Sequence, residues 1–330
     1  MARASIIIPV YNKEKYLVET LQSVDRQTEN DLEVIIIDDK STDHSMDRIL
    51  DFKNSTEKQV RVFQNDKNMG VAYSRNLGME EAKADYIAFL DADDLLDRDF
   101  MKVMLLKAKY YPNADYIYGL HVPFKKEIRL REVHLISNYF SDYDENKLIY
   151  PKIDFDYIRR SDVSCNARLY QKGSIQNLKF IESHFEDYEF FLDTVAEQLN
   201  CIYTTQPIYG YRITKTGKYQ TSIENIKSMT DYFDIYERVV AKHPNMDDEI
   251  YKLITERQIA ICVGYLQKIV SNVILKPKDL VTLVRNYNRY LNVRYGYCNE
   301  EDPELLSEIQ KLPTNPETLR KNIKKIVMKY

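Results

Sequence analysis

The apolar run Tyr86 to Leu90 leads directly into Asp91-Ala92-Asp93-Asp94. Carboxylates at i and i+2 beyond a strand can share one divalent cation, with waters and diphosphate oxygens completing its shell. A cation held there neutralises charge on a diphosphate leaving group. Taken alone, the same residues also fit a solvated acidic loop or a helix N-cap by Asp93 or Asp94. A second acidic pair, Asp38-Asp39, closes the run Leu32 to Ile37. Its carboxylates could accept hydrogen bonds from a base or a ribose, or the cluster could cap the next helix through Ser41, Thr42 and Asp43. A third pair, Glu186-Asp187, lies in HFEDYEFF. A carboxylate there could take the proton of an attacking hydroxyl; equally, both acids suit the first turn of a helix.

Other residues could complete such a site. Tyr11 could stack on a base or simply pack at a strand exit. Asn68-Met69-Gly70 opens a helix whose first turns carry Ser74, Arg75 and Asn76. Arg75 could meet a nucleotide or its diphosphate, or pair with a local acid. The stretch Tyr209-Gly210-Tyr211-Arg212, followed by Lys215, Gly217 and Lys218, could close over a diphosphate. Its spacing is not that of a P-loop, and there is no GxGxxG for a dinucleotide.

These groups are far apart in sequence and need a scaffold that gathers them. Ser5 to Val10 and Leu32 to Ile37 are β-branched runs of the kind buried in parallel sheets. Val60 to Phe63, Tyr86 to Leu90 and Tyr116 to Tyr118 extend the series. Between them, apolar spacing predicts helices over about 13–27, 45–53, 71–84 and 98–110. Alternating strands and helices predict an α/β fold with a mostly parallel, Rossmann-like sheet. In such sheets ligands bind beyond the carboxyl ends of the strands. Tyr11, Asp38-Asp39 and Asp91 to Asp94 all follow strand ends, so the fold should bring them to one edge. Residues 1–215 are read as the catalytic domain, with nucleotide-sugar binding in 1–120 and the acceptor side and base in 121–215. Residues 216–330 form a smaller helical region, with helices expected near 221–242, 247–271 and 278–290.

Composition narrows the classes. The chain has 330 residues and a net charge of -4, which disfavours a nucleic-acid partner. Its four cysteines form no CxxC pair, so a zinc site is not expected and a reducing compartment is. No apolar stretch reaches the length of a membrane-spanning helix, and the short apolar run at the N-terminus is no signal peptide. A cytoplasmic protein is expected. Residues 317–330 carry basic groups with Ile323, Ile326 and Val327 between them, which suits either an anionic inner leaflet or an ordinary packed helix.

Taken together, SIIIPVYNKEKYLVETLQSVDRQT, LEVIIIDDKSTDHS, NMGVAYSRNLGMEEAKADYIAFLDADD, FEDYEFF and IYGYRITKTG resemble family 2 inverting glycosyltransferases with the GT-A fold. The likeness covers about residues 4 to 215, with the motifs in the family's order and spacing. It implies that Asp187 of the Glu186-Asp187 pair is the catalytic base. It implies that Asp93, with Asp91, holds Mn²⁺ or Mg²⁺ at the diphosphate. Pro9, Tyr11, Asp39, Asn68, Arg75, Asp91, Ala92 and Arg212 are implied to contact the nucleotide-sugar, Arg212 from a mobile loop. The implied reaction moves a sugar from a UDP-sugar to a hydroxyl of a glycan or lipid-linked glycan of the bacterial cell surface. One departure is Lys40, which stands where the family's DDGS has glycine. His184 could add a metal ligand, although a lone histidine is more often structural. The helices after 220 match no family motif and could shape the acceptor site or build a homo-oligomer. The alternatives are a sugar nucleotidyltransferase and a non-catalytic scaffold of the same fold.

Overall fold

The computed structural model describes residues 2–125, 148–149, 163–214, 226–255 and 257–258. The chain divides into two compact units, one of Met1–Ile153 with Ser161–Lys215, the other of Asp154–Arg160 with Thr216–Tyr330.

In the first unit a βα alternation runs β1 (Ala4–Val10), α1 (Glu14–Asp25), β2 (Leu32–Asp38), α2 (Ser45–Ser55), β3 (Gln59–Gln64), α3 (Val71–Glu81) and β4 (Tyr86–Phe89). Then come β5 (Leu95–Leu96), α4 (Phe100–Tyr110), β6 (Tyr116–Phe124), β7 (Leu148–Ile149), β8 (Arg168–Gln171), the short α5 (Lys172–Ile175), α6 (Glu186–Ala196) and β9 (Cys201–Arg212). Among the described residues the strands form one sheet, ordered β3-β2-β1-β4-β8-β6-β9-β5, with β7 also on β9. The first four pair in parallel in the order 3-2-1-4, which is half of a doubly wound nucleotide-binding sheet. Beyond β4 the sheet is mixed: β8 is antiparallel to β4 and to β6, whereas β9 is parallel to β6. This is the expected α/β architecture of GT-A type, with a continuous parallel portion in β3-β2-β1-β4 and one further parallel pair, β6 with β9.

β1 and β2 are buried along their whole length, as strands covered on both faces must be. α1 buries Leu17, Thr20, Leu21 and Val24, one stripe at helical spacing. Asp43 caps α2 as expected, its Oδ1 accepting the Ser45 amide at 2.9 Å, and the N-termini of α1 and α2 are also laced to each other. The Asp43 carboxylate accepts the Glu14 amide at 3.1 Å, and the Glu14 carboxylate accepts the His44 amide at 2.9 Å. Asn12, in the left-handed region, gives its amide to Ser41 Oγ and accepts the Thr42 amide. The loops after β1 and β2 thus form one structure, which fixes the first part of the sheet edge.

In the second unit, α7 (Ile226–Lys242) buries Tyr232, Ile235, Tyr236 and Val239. Tyr236 Oη lies 3.0 Å from Tyr251 Oη and 2.9 Å from Thr255 Oγ1, so residues 248–255 pack back along α7. The expected helix over 278–290, the far end of the one over 247–271, Lys215, Gly217 and Lys218, the basic tail 317–330 and any oligomer contact of the last helices lie outside the described residues. Among the described residues no helix is long and apolar enough to cross a membrane.

Lys40 shows what the missing glycine costs. It has φ +61°, a conformation that a side chain disfavours by about 1–2 kcal/mol. Lys40→Gly relieves this, while the freer unfolded chain returns roughly 0.5–1 kcal/mol of the gain. Net stabilisation of up to about 1 kcal/mol is expected in urea unfolding. A lower midpoint in the variant would contradict it.

Candidate active site

The β4 strand ends at Phe89, and the Leu90 amide still bonds to Ile7 O at 3.0 Å. The chain then turns through Asp91 to Asp94, and three separate elements hold that turn. Thr20 Oγ1 of α1 donates to Ala92 O at 3.0 Å. Arg212 Nε of β9 donates to Asp93 O at 2.7 Å. Asp94 Oδ1 accepts the Arg212 amide at 2.8 Å, and Asp94 Oδ2 accepts Tyr209 Oη–H at 2.7 Å. Tyr209 Oη in turn accepts the Asp91 amide at 3.2 Å. Burial, and then the charges of Asp91 and Asp93, push the Asp94 carboxyl up to about 8.

Arg75, in the second turn of α3, is the centre of the site and only 2% of its side chain is exposed. Its Nη2 donates to Asp91 Oδ1 at 2.9 Å. Its Nη1 donates to Glu186 Oε1 at 3.1 Å and to Asp187 Oδ1 at 2.7 Å. The guanidinium also covers the Phe180 ring at 5.3 Å, and Phe180 stacks on Phe190 of α6 at 4.1 Å. An acid from the β4 turn and the acidic pair from α6 therefore share one cation. Burial acts to raise Asp91, but the charge and hydrogen bond of Arg75, helped by Asn166 and Lys13, hold it below the usual carboxylate range. For Asp187 burial prevails over Arg75, and Glu186 and Asp91 add repulsion, so its carboxyl rises to about 7. Yet 24% of the Asp187 side chain remains accessible.

Glu186 and Asp187 occupy the first turn of α6, as the helix reading of this pair expects, and both bind Arg75. The two DxD acids differ in their freedom. Asp91 has its Oδ1 on Arg75 and its Oδ2 on Asn166 Nδ2 at 3.0 Å. Asp93 has a single side-chain partner among the described residues, the Lys13 ammonium at 2.5 Å from Oδ2. No cluster of three or more His, Cys, Asp or Glu able to hold a metal is present among the described residues, and His184 joins none. A single carboxylate with hard oxygen atoms fits Mg²⁺ or Mn²⁺ completed by water and substrate phosphate, which is how such ions are usually bound outside all-protein cages.

The remaining expected residues are placed as follows. Pro9 is buried in β1, and Tyr11 is 43% exposed just beyond it. Asp39 is buried; its Oδ1 accepts Asn65 Nδ2 and the Met69 amide, both at 2.7 Å, and its Oδ2 accepts the Gly70 amide at 2.8 Å. Those bonds fasten the β2 end to the start of α3, where Gly70 takes φ +93°. Asn68 is exposed in the same loop. Arg212 differs from the expectation of a loop arginine: it is the last residue of β9 and is 7% exposed. The reason is its partners, since Nη2 meets Glu19 Oε2 at 2.7 Å while Nε and the amide tie down the Asp93-Asp94 turn.

Sequence reading gave no site role to Lys13, Cys165 or Asn166, and named Asp94 only as a possible cap and Tyr209 only within the stretch that ends at Arg212. Cys165 is fully buried with its thiol against Asp187, and Asn166 orients Asp91. Only the position of Asp94 beside the DxD was a usable signal.

Comparison with known proteins agrees with this geometry. Residues 5–178 match the family described as Glycosyl transferase family 2. An uncharacterised glycosyltransferase of Haemophilus influenzae is 33% identical over 243 residues, covering 72% of this chain and 88% of that protein. The teichoic acid poly(glycerol phosphate) polymerase of Staphylococcus epidermidis is 38% identical over 241 residues, covering 71% of this chain but only 31% of that protein. Among solved structures, S. aureus TarS 1–349 in complex with UDP-GlcNAc superposes with a TM-score of 0.70 at 16% identity, over 99% of this chain and 91% of that one.

Replacing Arg75 tests its place at the centre. Arg75→Met leaves three acids without their shared cation, and breaking a buried ion pair costs about 3–5 kcal/mol. Asp91 is held below its ordinary value of 3.8, so its contribution is present above that pH and is lost as pH falls through its folded value. The gap between variant and wild type in chemical denaturation is therefore expected to be widest at neutral pH and to close on acidification. A pH-independent gap would contradict the assignment.

Proposed function

The chain belongs to glycosyl transferase family 2 and is a glycosyltransferase, and from that premise we propose an inverting, metal-assisted transfer from a UDP-sugar to a hydroxyl of a cell-surface glycan. The observation that carries the reading is the joint hold of Arg75 on Asp91 and Asp187. It supports a base and a donor-side acid positioned against one reaction centre, with the exposed part of Asp187 open to an acceptor. The nucleotidyltransferase and scaffold alternatives give way to the family assignment.

In the proposed step the acceptor oxygen attacks the anomeric carbon, Asp187 takes the hydroxyl proton, and the bond from that carbon to the diphosphate oxygen breaks. UDP departs with the electron pair, and the configuration inverts. Arg75 keeps the Asp187 carboxylate oriented and, by occupying Oδ1, leaves the other oxygen for the proton. Asp93 would hold Mn²⁺ or Mg²⁺, which when bound supplies positive charge to the leaving diphosphate. Tyr11 and the loop fastened by Asp39 support the base and ribose, because both stand beside the β1 and β2 ends where such ligands bind. The UDP donor is supported by the same fold in TarS, whose structure is a complex with UDP-GlcNAc. A cell-surface acceptor is supported by the likeness to a teichoic acid polymerase. A reducing, cytoplasmic setting is supported by the buried free thiols of Cys165 and Cys201.

The test is UDP release with Mn²⁺ over a panel of UDP-hexoses and UDP-N-acetylhexosamines, each with candidate glycan acceptors. Asp187→Asn is expected to lower transfer by about 10²–10⁴-fold while the donor still raises the melting temperature. Wild-type turnover in this variant sinks the assignment of the base. A base must be deprotonated to act, so kcat should rise with pH towards a plateau, with an apparent pKa near the value of about 7 given by burial of Asp187. A profile flat between pH 5 and about 8.5 would assign the proton transfer elsewhere.

A further inference from the structure

The backbone of Lys13 is fixed. Its amide donates to Ser45 Oγ at 2.8 Å, and its carbonyl accepts the Tyr16 and Leu17 amides at 3.0 and 2.9 Å. Its side chain is partly solvated: 36% of it is exposed, and the ammonium reaches across to Asp93 Oδ2. The two residues are 80 apart in sequence, so this contact exists only because the β1 and β4 ends share one sheet edge. Asp93 differs here from its neighbours. Asp91 is committed to Arg75 and Asn166, and Asp94 to Tyr209 and the Arg212 amide. The Lys13–Asp93 bond is therefore the one ion pair of the acidic turn whose cation sits on a long, partly solvated stem.

We propose that Lys13 is a displaceable counter-ion of Asp93. Before the donor arrives, its ammonium neutralises the carboxylate and disfavours entry of a divalent cation. When cation and diphosphate enter together, the cation takes Asp93 and the ammonium passes to the diphosphate. A lysine suits both positions, being a compact point charge with three donors that binds carboxylate and phosphate alike. A second positive charge at the same carboxylate is repelled by the first, so the two cations exclude each other until phosphate charge is present to separate them. Cation and nucleotide affinities are then linked, and by reciprocity each raises the other. This inference rests on the reading of Asp93 as the ligand of the cation.

The experiment measures free Mn²⁺ by electron paramagnetic resonance during titration of the full chain, with and without UDP. Wild type is compared with Lys13→Met, Lys13→Arg and Asp93→Asn, and UDP affinity is followed by equilibrium dialysis. Without nucleotide, Lys13→Met should bind Mn²⁺ about tenfold more tightly than wild type, since a repelling charge has been removed. Lys13→Arg keeps the charge and should stay near wild type. With UDP present the advantage of Lys13→Met should shrink, and its UDP affinity should fall below that of wild type. Mn²⁺ affinity of Lys13→Met equal to or below wild type without nucleotide, including no uptake by either, overturns the proposal. Asp93→Asn that binds Mn²⁺ like wild type instead overturns the reading of Asp93, whatever Lys13→Met does.

Discussion

One buried guanidinium holds this site together. Arg75 bonds Asp91 from the β4 turn and Glu186 and Asp187 from α6, three carboxylates separated by more than ninety positions of chain. None of these acids could sit so close to the others without a shared cation, because like charges in a poorly solvated place repel strongly. Arg75 can do this because α3 packs on β1 and β2, and Gly78 lies so close to Ile7 that a Cβ there would come within 2.3 Å of its side chain. The tight helix-to-sheet contact sets the height at which Arg75 emerges, and that height sets where the acids meet.

The donor side of the site depends on a second set of constraints. The Asp91 to Asp94 turn is short and acidic, and nothing in its own sequence would keep it in one shape. Its shape comes from outside: Thr20 of α1, and Tyr209 and Arg212 at the end of β9. Arg212 therefore acts on the turn through both its side-chain Nε and its amide, packed against the Tyr16 and Phe124 rings and paired with Glu19. Strand β9 begins after α6, so the element that carries the proposed base also leads into the strand that fixes the proposed cation loop.

The parallel half was legible because its signals are local. A strand buried on both faces must be apolar throughout, and Ser5 to Val10 and Leu32 to Ile37 can hardly be anything else. The acids at the strand ends followed from the topology, since the carboxyl ends of parallel strands share an edge. Lys40 was legible only as a departure, a lysine where the family has glycine; its φ of +61° comes from the structure. Asn166, Cys165 and Lys13 were not legible. Their roles arise from contacts across 75, 22 and 80 positions, and even the motif and helical spacing that place Lys13 say nothing of where its side chain reaches. Arg212 was found as a residue and misread as a loop, because a basic residue beside glycine looks mobile until its strand partners are known.

The balance of charge gives the strongest physical reason for the proposed cation. Asp91, Asp93, Asp94, Glu186 and Asp187 crowd around Arg75, Lys13 and Arg212, and a diphosphate brings further negative charge. The protein answers part of the excess with protons, as burial of Asp94 and Asp187 favours their neutral forms. Protons do not answer the rest, because a base that stays protonated cannot take the acceptor's proton and a diphosphate gains nothing from a neutral acid. Arg75 is engaged by buried carboxylates and cannot leave them without stranding buried charge, and Arg212 is held by Glu19 and by the Asp93-Asp94 turn. A divalent ion held by Asp93, as proposed, would supply positive charge to the diphosphate while leaving Asp187 free to ionise. The acidity that looks hostile to a nucleotide is, on this argument, what makes its binding depend on the cation that assists its departure.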